Sequence, residues 1–401
     1  MRINSIKIEN LFEIFNYDIS FNNSENVLII TGPNGFGKTM VLNIIFNLFN
    51  RKFQFFQTLV FDKITLHLED NISIIISKEV NLAIFYFIKN TTTIEQVNYP
   101  NKNEKNELKT LSTFDKWLNS EFEIDEKPKI KSEKANQILD SIQVHLIQEQ
   151  RLFKKLQNEK KLFLKEKEDQ TIMIESIQSY AQELKLLISD FSQKSFIQTQ
   201  DLDSSYPNRL RSETNILSKE EYERRYSILK AKQKKLTEFG LYESRQEFLT
   251  FSEEDAKALS VYLKDFELKL GVFDALLEKL ELFTNILNER RFTFKSINIS
   301  RDKGFFFKTI KNKELDLSQL SSGEQHEVVL LYELIFNVKP NVLVLIDEPE
   351  ISLHITWQKE FLSDLLKIIK IQKIQVLIAT HSPSIINDRW DLVYNLETKA
   401  P

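Results

Sequence analysis

The sequence predicts an α/β protein whose mixed sheet is interrupted by a helical insertion. A glycine-rich loop at residues 32–39 lies between an apolar strand pattern and a helical pattern. Two further apolar strand patterns follow at residues 342–346 and 376–380. Residues 152–291, which separate these parts, are rich in charge and leucine and contain a single proline, Pro207. We therefore expect one α/β core encoded by two separated segments.

Strand patterns dominate the first 90 residues, apart from a helical pattern at residues 40–49 after the glycine-rich loop. Alternating or continuous apolar residues predict strands over residues 3–8, 18–21, 27–30, 63–68, 73–77 and 82–88. The later strands predict an antiparallel sheet beside the loop. A helix is expected over residues 108–122, and residues 142–147 are expected to return to the core as a strand.

The charged stretch predicts helices with short heptad patterns, one over residues 174–191 and one over residues 259–287. The second helix is expected to be continuous, with a length of roughly 43 Å at about 1.5 Å per residue. A hairpin, residues 292–300 and 305–309, is then expected to lead back to the sheet. These patterns predict three parts: an N-lobe at 1–150, a helical and partly coiled-coil insertion at 151–291, and a C-lobe at 292–401.

Composition excludes several classes of protein. The chain has 401 residues, 42% of them hydrophobic, so it can bury a sizeable core. It has no cysteine, which excludes disulfides, thiolate zinc sites and cysteine nucleophiles. A net charge of −4 provides no global attraction for nucleic acid, so any DNA contact must be local. The N-terminus lacks the pattern of a signal peptide and no apolar run reaches membrane-spanning length, so we expect a cytoplasmic protein with no membrane partner.

The glycine-rich loop has the residues that phosphate binding requires. It reads Gly32, Pro33, Asn34, Gly35, Phe36, Gly37, Lys38, Thr39. Glycines let successive backbone N–H groups curl around a phosphate, a lysine neutralises the outer phosphates, and a hydroxyl holds Mg²⁺. The loop therefore predicts a site for a phosphate-bearing ligand together with Mg²⁺.

The two later strands end in polar side chains. Asp347 and Glu348 follow the first strand, where open α/β sheets bind their ligands. We expect Asp347 to hold Mg²⁺ and Glu348 to polarise the attacking water. The second strand ends at His381. Upstream, the Ser-Ser-Gly segment with Ser321 and Gly323 caps a predicted helix, where serine hydroxyls and free amides can bind an anion or merely cap the helix.

In this order, the motifs resemble those of ABC-type ATPases of the SMC, RecF and OLD-like branch. The resemblance covers about residues 1–90 and 290–390. It implies an ABC-ATPase head fold in which residues 32–39 are the Walker A loop and Asp347 and Glu348 are Walker B and the catalytic glutamate. Residues 320–325 would be the signature, and residues 352–354 the D-loop. His381 would be the switch histidine, which with Glu348 and Lys38 completes the implied catalytic set.

Two details depart from the family pattern or stay open. The signature has Ser322 in place of the first glycine and Glu324 in place of the glutamine. The Q-loop glutamine, a further metal ligand, can be Gln54 or Gln57, and we favour Gln57. The resemblance also implies a head-to-tail homodimer, or a higher oligomer, in which Ser321 and Gly323 of one copy complete the ATP site of another.

At a finer level, residues 346–354 together with Trp357 and Gln358 resemble the corresponding part of bacterial stand-alone ATPases of phage defence, such as those of Septu, PARIS and retron systems. That likeness implies a sensor or scaffold that works with a separate effector, for example a nuclease or toxin. The alternative is a RecF-like or SMC-like DNA-repair ATPase, for which the basic stretches 154–167 and 230–235 are the hints. A transporter nucleotide-binding domain is the third class, and the large insertion argues against it.

Overall fold

The fold is taken from a computed structural model of the full chain. It describes residues 1–21, 25–79, 82–100, 132–148, 153–156, 172–243, 250–290, 292 and 294–399. The contacts group these residues into two compact units. The first unit comprises 1–151, 155–172 and 333–401, and the second comprises 152–154 and 173–332.

The first unit is built on a five-stranded parallel sheet. Its strands are β3 (Val27–Thr31), β8 (Val144–Ile147), β14 (Leu343–Asp347), β15 (Gln375–Ala379) and β16 (Val393–Asn395). Their order is β16-β3-β15-β14-β8, and every neighbouring pair is parallel. The four residues before the end of β14 and all of β15 are buried, as expected for a parallel sheet covered on both faces.

Helices accompany this sheet. Their bounds are α1 (Lys38–Phe49), α2 (Gln54–Thr58), α3 (Glu133–Asp140), α9 (Ile355–Gln372) and α10 (Pro383–Ile386). The spacing of apolar residues in α1 explains its position, because Val41, Leu42, Ile45 and Leu48 are fully buried. Helix α1 contacts β8, β14 and β15, which fixes the glycine-rich loop at its N-terminus over the edge of the sheet.

An antiparallel sheet of six strands completes the first unit, and it contains the antiparallel strands that the sequence predicts over residues 63–88. Its strands are β1 (Ile3–Leu11), β2 (Phe15–Ser20), β4 (Lys63–Leu68), β5 (Ile72–Glu79), β6 (Leu82–Lys89) and β7 (Thr92–Pro100), in the order β2-β1-β4-β5-β6-β7. Strand β7 was not expected from the sequence. One hydrophobic cluster includes buried residues of this sheet, of α1 and of α3, so the sheet and the loop-bearing helix share a core.

The second unit is mainly helical. Its helices are α4 (Ser176–Ser212), α5 (Lys219–Glu238), α6 (Ala256–Gly271), α7 (Asp274–Arg290) and α8 (Ser322–Tyr332). Helix α4 packs against α6 and α8, and α5 packs against α6. Two arginine–carboxylate pairs cross these contacts, Arg209 with Asp265 and Arg225 with Glu267. Two short strands, β9 (Phe153–Leu156) and β10 (Ile172–Glu175), precede α4.

The prediction of one continuous helix over residues 259–287 is wrong. Helix α6 ends at Gly271, and α7 begins at Asp274. Leu270, Phe273 and Leu277 are all buried across this break, so the apolar spacing continues while the backbone does not. Helical periodicity reports which side chains are buried, and it cannot distinguish one helix from two that bury the same face.

The hairpin after α7 is present but does not join the main sheet, which corrects a second expectation. Strands β11 (Lys295–Ser300), β12 (Gly304–Thr309) and β13 (Glu314–Leu315) form a separate three-stranded sheet in the second unit. It contacts α4 through β12 and α7 through β11. At Gly304, φ is +72° and an added Cβ would lie 1.9 Å from the carbonyl oxygen of Ala181, so only glycine fits under α4.

Other expectations remain predictions. The helix expected over residues 108–122 lies outside the described residues, and the three-part division at 150 and 291 is not tested by the two-unit grouping. None of the described helices has the combination of length and apolar character that crossing a bilayer requires.

Candidate functional site

Three neighbouring strands of the parallel sheet bring the predicted catalytic residues together. The glycine-rich loop follows β3, Asp347 ends β14, and His381 lies two residues after β15. In the sheet, β15 lies between β3 and β14, with Ala379 opposite both Ile30 and Asp347. Because carboxyl ends of parallel strands meet at one edge, residues about 310 and 350 positions apart in the chain become neighbours.

The glycine-rich loop has a backbone suited to binding an anion. Gly37 has φ of +79° and immediately precedes α1, so the loop turns directly into the N-terminus of a 12-residue helix. An added Cβ at Gly37 would contact Leu11 and Phe12. The Lys38 side chain is buried, and its Nζ donates to the carbonyl oxygens of Gly32 at 2.9 Å and Pro33 at 3.3 Å. The ammonium group therefore lies within the curve of the loop.

Aromatic residues of β2 support this loop, which the sequence did not predict. The Tyr17 hydroxyl donates to the carbonyl oxygen of Phe36 at 2.8 Å. Phe15 lies between Tyr17 and Phe36, with ring centroids 5.7 and 5.4 Å away. The pKa of Tyr17 is raised to about 12, mainly because the side chain is buried and to a smaller extent because of the neighbouring Tyr394. The hydroxyl is therefore protonated and able to donate across the physiological pH range.

Thr39 and Asp347, the predicted Mg²⁺ ligands, lie side by side. The Thr39 Oγ1 hydroxyl donates to Asp347 Oδ1 at 3.1 Å. A hydroxyl and a carboxylate at this separation match the preference of Mg²⁺ for hard oxygen ligands, and this ion commonly uses one or two carboxylates together with phosphate oxygens and water. Within the described residues, no cluster of three or more His, Asp or Glu side chains suits a metal. The pair therefore fits a Mg²⁺ ion shared with a bound nucleotide.

Glu348 has an unusual backbone. Its φ is +40° and ψ is +60°, a left-handed conformation that costs a non-glycine residue about 1–3 kcal/mol. The Glu348 N–H donates to the carbonyl oxygen of Ala379 at 2.8 Å, which holds the turn against β15. The carboxylate is partly buried, and its Oε1 lies 3.6 Å from Nδ1 of His381. The left-handed turn thus places the Glu348 carboxylate beside His381, the predicted switch histidine.

A second buried carboxylate, Glu350, organises the segment that carries His381. Its Oε1 accepts hydrogen bonds from the Thr380 hydroxyl at 2.6 Å and from the backbone N–H groups of His381 and Ser382 at 2.9 and 3.2 Å. His381 Nδ1 also lies 3.1 Å from the same oxygen. Sequence reading missed Glu350, although its place directly after Asp347-Glu348-Pro349 was the available signal.

Gln358 makes a parallel connection. Its amide nitrogen donates to the carbonyl oxygens of Glu350 and Leu353, and its Oε1 accepts from the Ser382 hydroxyl at 2.9 Å. The predicted D-loop at 352–354 directly precedes α9. The His354 ring caps this helix by accepting a hydrogen bond from the N–H of Thr356. Two side chains on the segment after β14 thus hold the segment after β15.

The remaining candidates lie elsewhere. Gln57 is in the short helix α2 and is half-buried, whereas Gln54 is exposed, and the choice between them stays a prediction. Ser321 and Gly323 are at the N-terminus of α8 in the second unit, where Ser321 is exposed. Their role at a nucleotide site in another copy also stays a prediction.

Comparison with known proteins decides the family. Residues 1–386 match the family described as AAA ATPase domain. The chain belongs to this ATPase family. The match confirms the predicted ATPase. The parallel sheet with its helices and the accompanying antiparallel sheet agree with the predicted α/β head. No curated protein matches the chain.

Solved structures give a weaker likeness. A Smc head domain derived from Pyrococcus furiosus, with an extended coiled coil and bound to the C-terminal domain of ScpA, is 15% identical, with a TM-score of 0.41 over 96% of this chain and 90% of that one. An SMC head domain from Thermotoga maritima is 13% identical, with a TM-score of 0.37 over 98% of this chain and 94% of that one. Scores this low support no inference about activity, partners or assembly.

Proposed function

We propose that this ATPase binds Mg²⁺-ATP at the loop of residues 32–39 and hydrolyses it, using Glu348 as the group that polarises water. The observation that supports it most directly is the convergence of Lys38, Thr39, Asp347, Glu348 and His381 at one edge of the parallel sheet. Thr39 and Asp347 are close enough to hold one ion, and Glu348 and His381 are close enough to act on one water.

The roles follow from chemistry and position. Backbone N–H groups at the start of α1 and the Lys38 ammonium stabilise the phosphates. When bound, Mg²⁺ would withdraw charge from the phosphate oxygens. Glu348 accepts a proton or a hydrogen bond from water. His381, which Glu350 orients, has its Nδ1 atom 3.6 Å from the Glu348 carboxylate. Glu350 is therefore a positioning residue in this arrangement.

We further propose that ATP closes a head-to-tail homodimer. The support is the resemblance in motif order and the exposure of Ser321 at the N-terminus of α8, an end of the helix that favours an anion such as a γ-phosphate. Such a dimer is a switch, because those contacts exist only while the γ-phosphate does. The resemblance of residues 346–358 to stand-alone ATPases of phage defence supports a further proposal, that the chain is a cytoplasmic sensor or scaffold subunit acting on a separate nuclease or toxin.

Glu348→Gln tests the core of this proposal. The amide keeps the shape but cannot take a proton, so the variant should bind ATP, lose hydrolysis and associate into a stable ATP-dependent dimer. Phosphate release and sedimentation velocity, with and without Mg²⁺-ATP, measure both effects. Hydrolysis at the wild-type rate would exclude Glu348 as the base, and a monomer in saturating ATP would exclude the dimer switch.

The second candidate, a DNA-repair ATPase, receives less support from the described residues. In the basic stretch 230–235, Lys232 pairs with Asp274 and Lys235 pairs with Glu281, so part of its charge is neutralised by α7. Residues 157–167 of the other basic stretch lie outside the described residues. A salt-sensitive, ATP-dependent shift of duplex DNA would favour this candidate over the scaffold.

A further inference from the structure

Lys295 lies beside the signature segment and binds one of its side chains. At the start of β11, Lys295 directs its Nζ to Glu324 in the first turn of α8, at 2.8 Å from each carboxylate oxygen. The two side chains are only 25% and 18% exposed. A lysine that contacts both oxygens of a mostly buried carboxylate neutralises it far more effectively than a mobile surface pair would.

Glu324 in turn holds Ser321. Its Oε2 accepts from the Ser321 N–H at 2.8 Å and from the Ser321 hydroxyl at 3.0 Å, and the Glu324 N–H lies 3.4 Å from that hydroxyl oxygen. This is the reciprocal capping arrangement of a helix N-terminus. The carboxylate is therefore hydrogen-bonded to the same serine groups that we propose for the γ-phosphate of a second copy.

This arrangement raises an electrostatic conflict. A phosphate that approaches Ser321 must approach the Glu324 carboxylate, and two anions within a few ångströms of each other repel strongly where water is excluded. Although burial alone would raise the pKa of Glu324, hydrogen bonds from Lys295 and Ser321 hold it below its usual value. Glu324 therefore stays ionised at neutral pH, and a nearby cation has to offset its charge.

We propose that Lys295 is a positioning residue for the signature: it neutralises Glu324 and so permits Ser321 to bind the γ-phosphate of ATP held by a second copy. This inference rests on the proposed dimer function. It differs from a purely structural role for the ion pair, in which Lys295 and Glu324 stabilise the contact between β11 and α8 and nothing more.

The two roles predict different results for a double-mutant cycle. In Glu348→Gln protein with saturating Mg²⁺-ATP, Lys295→Met should weaken association about tenfold or more, because an unpaired carboxylate faces the phosphate. Glu324→Gln should associate at least as well as the parent. The double variant Lys295→Met, Glu324→Gln should recover to within about threefold of the parent, since neither charge is left. Lys295→Arg should retain association.

Sedimentation velocity over a range of protein concentrations measures the association, and thermal unfolding of each variant reports stability separately. Lys303→Met is the matched control, because Lys303, in the turn before β12, pairs with Glu314 of β13 instead of with Glu324. Its association should equal that of the parent. If Lys295→Met unfolds below the assay temperature, Glu324→Gln decides: association weakened about tenfold or more would overturn the proposal.

The outcomes separate the two proposals. If the parent associates with ATP and Lys295→Met does too, or if the double variant is as weak as Lys295→Met, the role of Lys295 is wrong and the dimer stands. If the parent fails to associate with ATP, the dimer proposal is wrong and the role of Lys295 falls with it. The charge-neutralising role is supported if Lys295→Met weakens association and the added Glu324→Gln restores it.

Discussion

Replacing Glu350 should separate its structural role from its charge. The Glu350 residue is 6% exposed, and one oxygen of its carboxylate accepts three hydrogen bonds from the segment that carries His381. Glu350→Ala removes that acceptor, whereas Glu350→Gln keeps an oxygen in the same position. Comparing the two variants therefore isolates the hydrogen bonds that position His381.

The magnitude follows from the donors left behind. Thr380 is fully buried, so its hydroxyl would lose its acceptor without gaining water, at about 1–3 kcal/mol. The N–H groups of His381 and Ser382 are only partly buried and can recover part of their loss from water. With the space left by the side chain, we expect Glu350→Ala to lower the free energy of unfolding by about 3–5 kcal/mol. Glu350→Gln should cost about 1–2 kcal/mol, because its amide nitrogen replaces an oxygen that has no partner among the described residues.

Urea unfolding followed by tryptophan fluorescence suits the measurement, since Trp357 and Trp390 both belong to the first unit. Steady-state hydrolysis at a temperature where both variants are folded should show a lower kcat for Glu350→Ala with a nearly unchanged KM for ATP, because the phosphate loop is untouched. Asp388→Ala, at an exposed position, is the control and should stay within about 0.5 kcal/mol of wild type. Equal stability of the Ala and Gln variants, or an unchanged kcat in Glu350→Ala, would refute the positioning role.

Three further predictions test other parts of the molecule. Lys38→Ala should abolish binding of a fluorescent ATP analogue by protein that thermal unfolding shows to be folded, and measurable binding would show that Lys38 does not contact the phosphates. Gly304→Ala should destabilise the second unit by about 3 kcal/mol or more, because Gly304 has a positive φ and an added Cβ would collide with the Ala181 carbonyl oxygen. Gly271→Ala, at a helix end with ordinary contacts, is the control and should be neutral or slightly stabilising. Similar melting temperatures for the two variants would contradict the close approach of Ala181 to Gly304. Burial raises the pKa of Tyr17 to about 12 in the folded protein, so the contribution of Tyr17 to stability is complete below pH 10 and is lost as pH rises toward 12. Tyr17→Phe should therefore flatten the fall in stability at alkaline pH. An unchanged dependence of stability on pH would exclude the burial effect.

Local signals in the sequence located most of the first unit. Alternating polar and apolar residues identified β1 and β4, and apolar runs identified β3, β14 and β15. A strand with one exposed face alternates in its own sequence, and a strand buried on both faces is apolar throughout, so both patterns are local. The same reasoning failed for the helix over residues 259–287, since the break at Gly271 leaves the buried face unchanged. It also failed for β11 and β12, because a hairpin's pattern does not specify which sheet it joins.

The sequence by itself identified the phosphate loop and the ATPase class, since the glycines, Lys38 and Thr39 that we propose to bind phosphate and Mg²⁺ lie within eight consecutive residues. Only the tertiary structure decided what surrounds them. Glu350 holds a segment 30 residues away in the chain. Tyr17, on β2, supports Phe36 in the phosphate loop, and Lys295, on the small sheet, neutralises Glu324 in α8. These side chains carry no local pattern, because what gives each its role is a partner distant in the chain that folding places within hydrogen-bond reach.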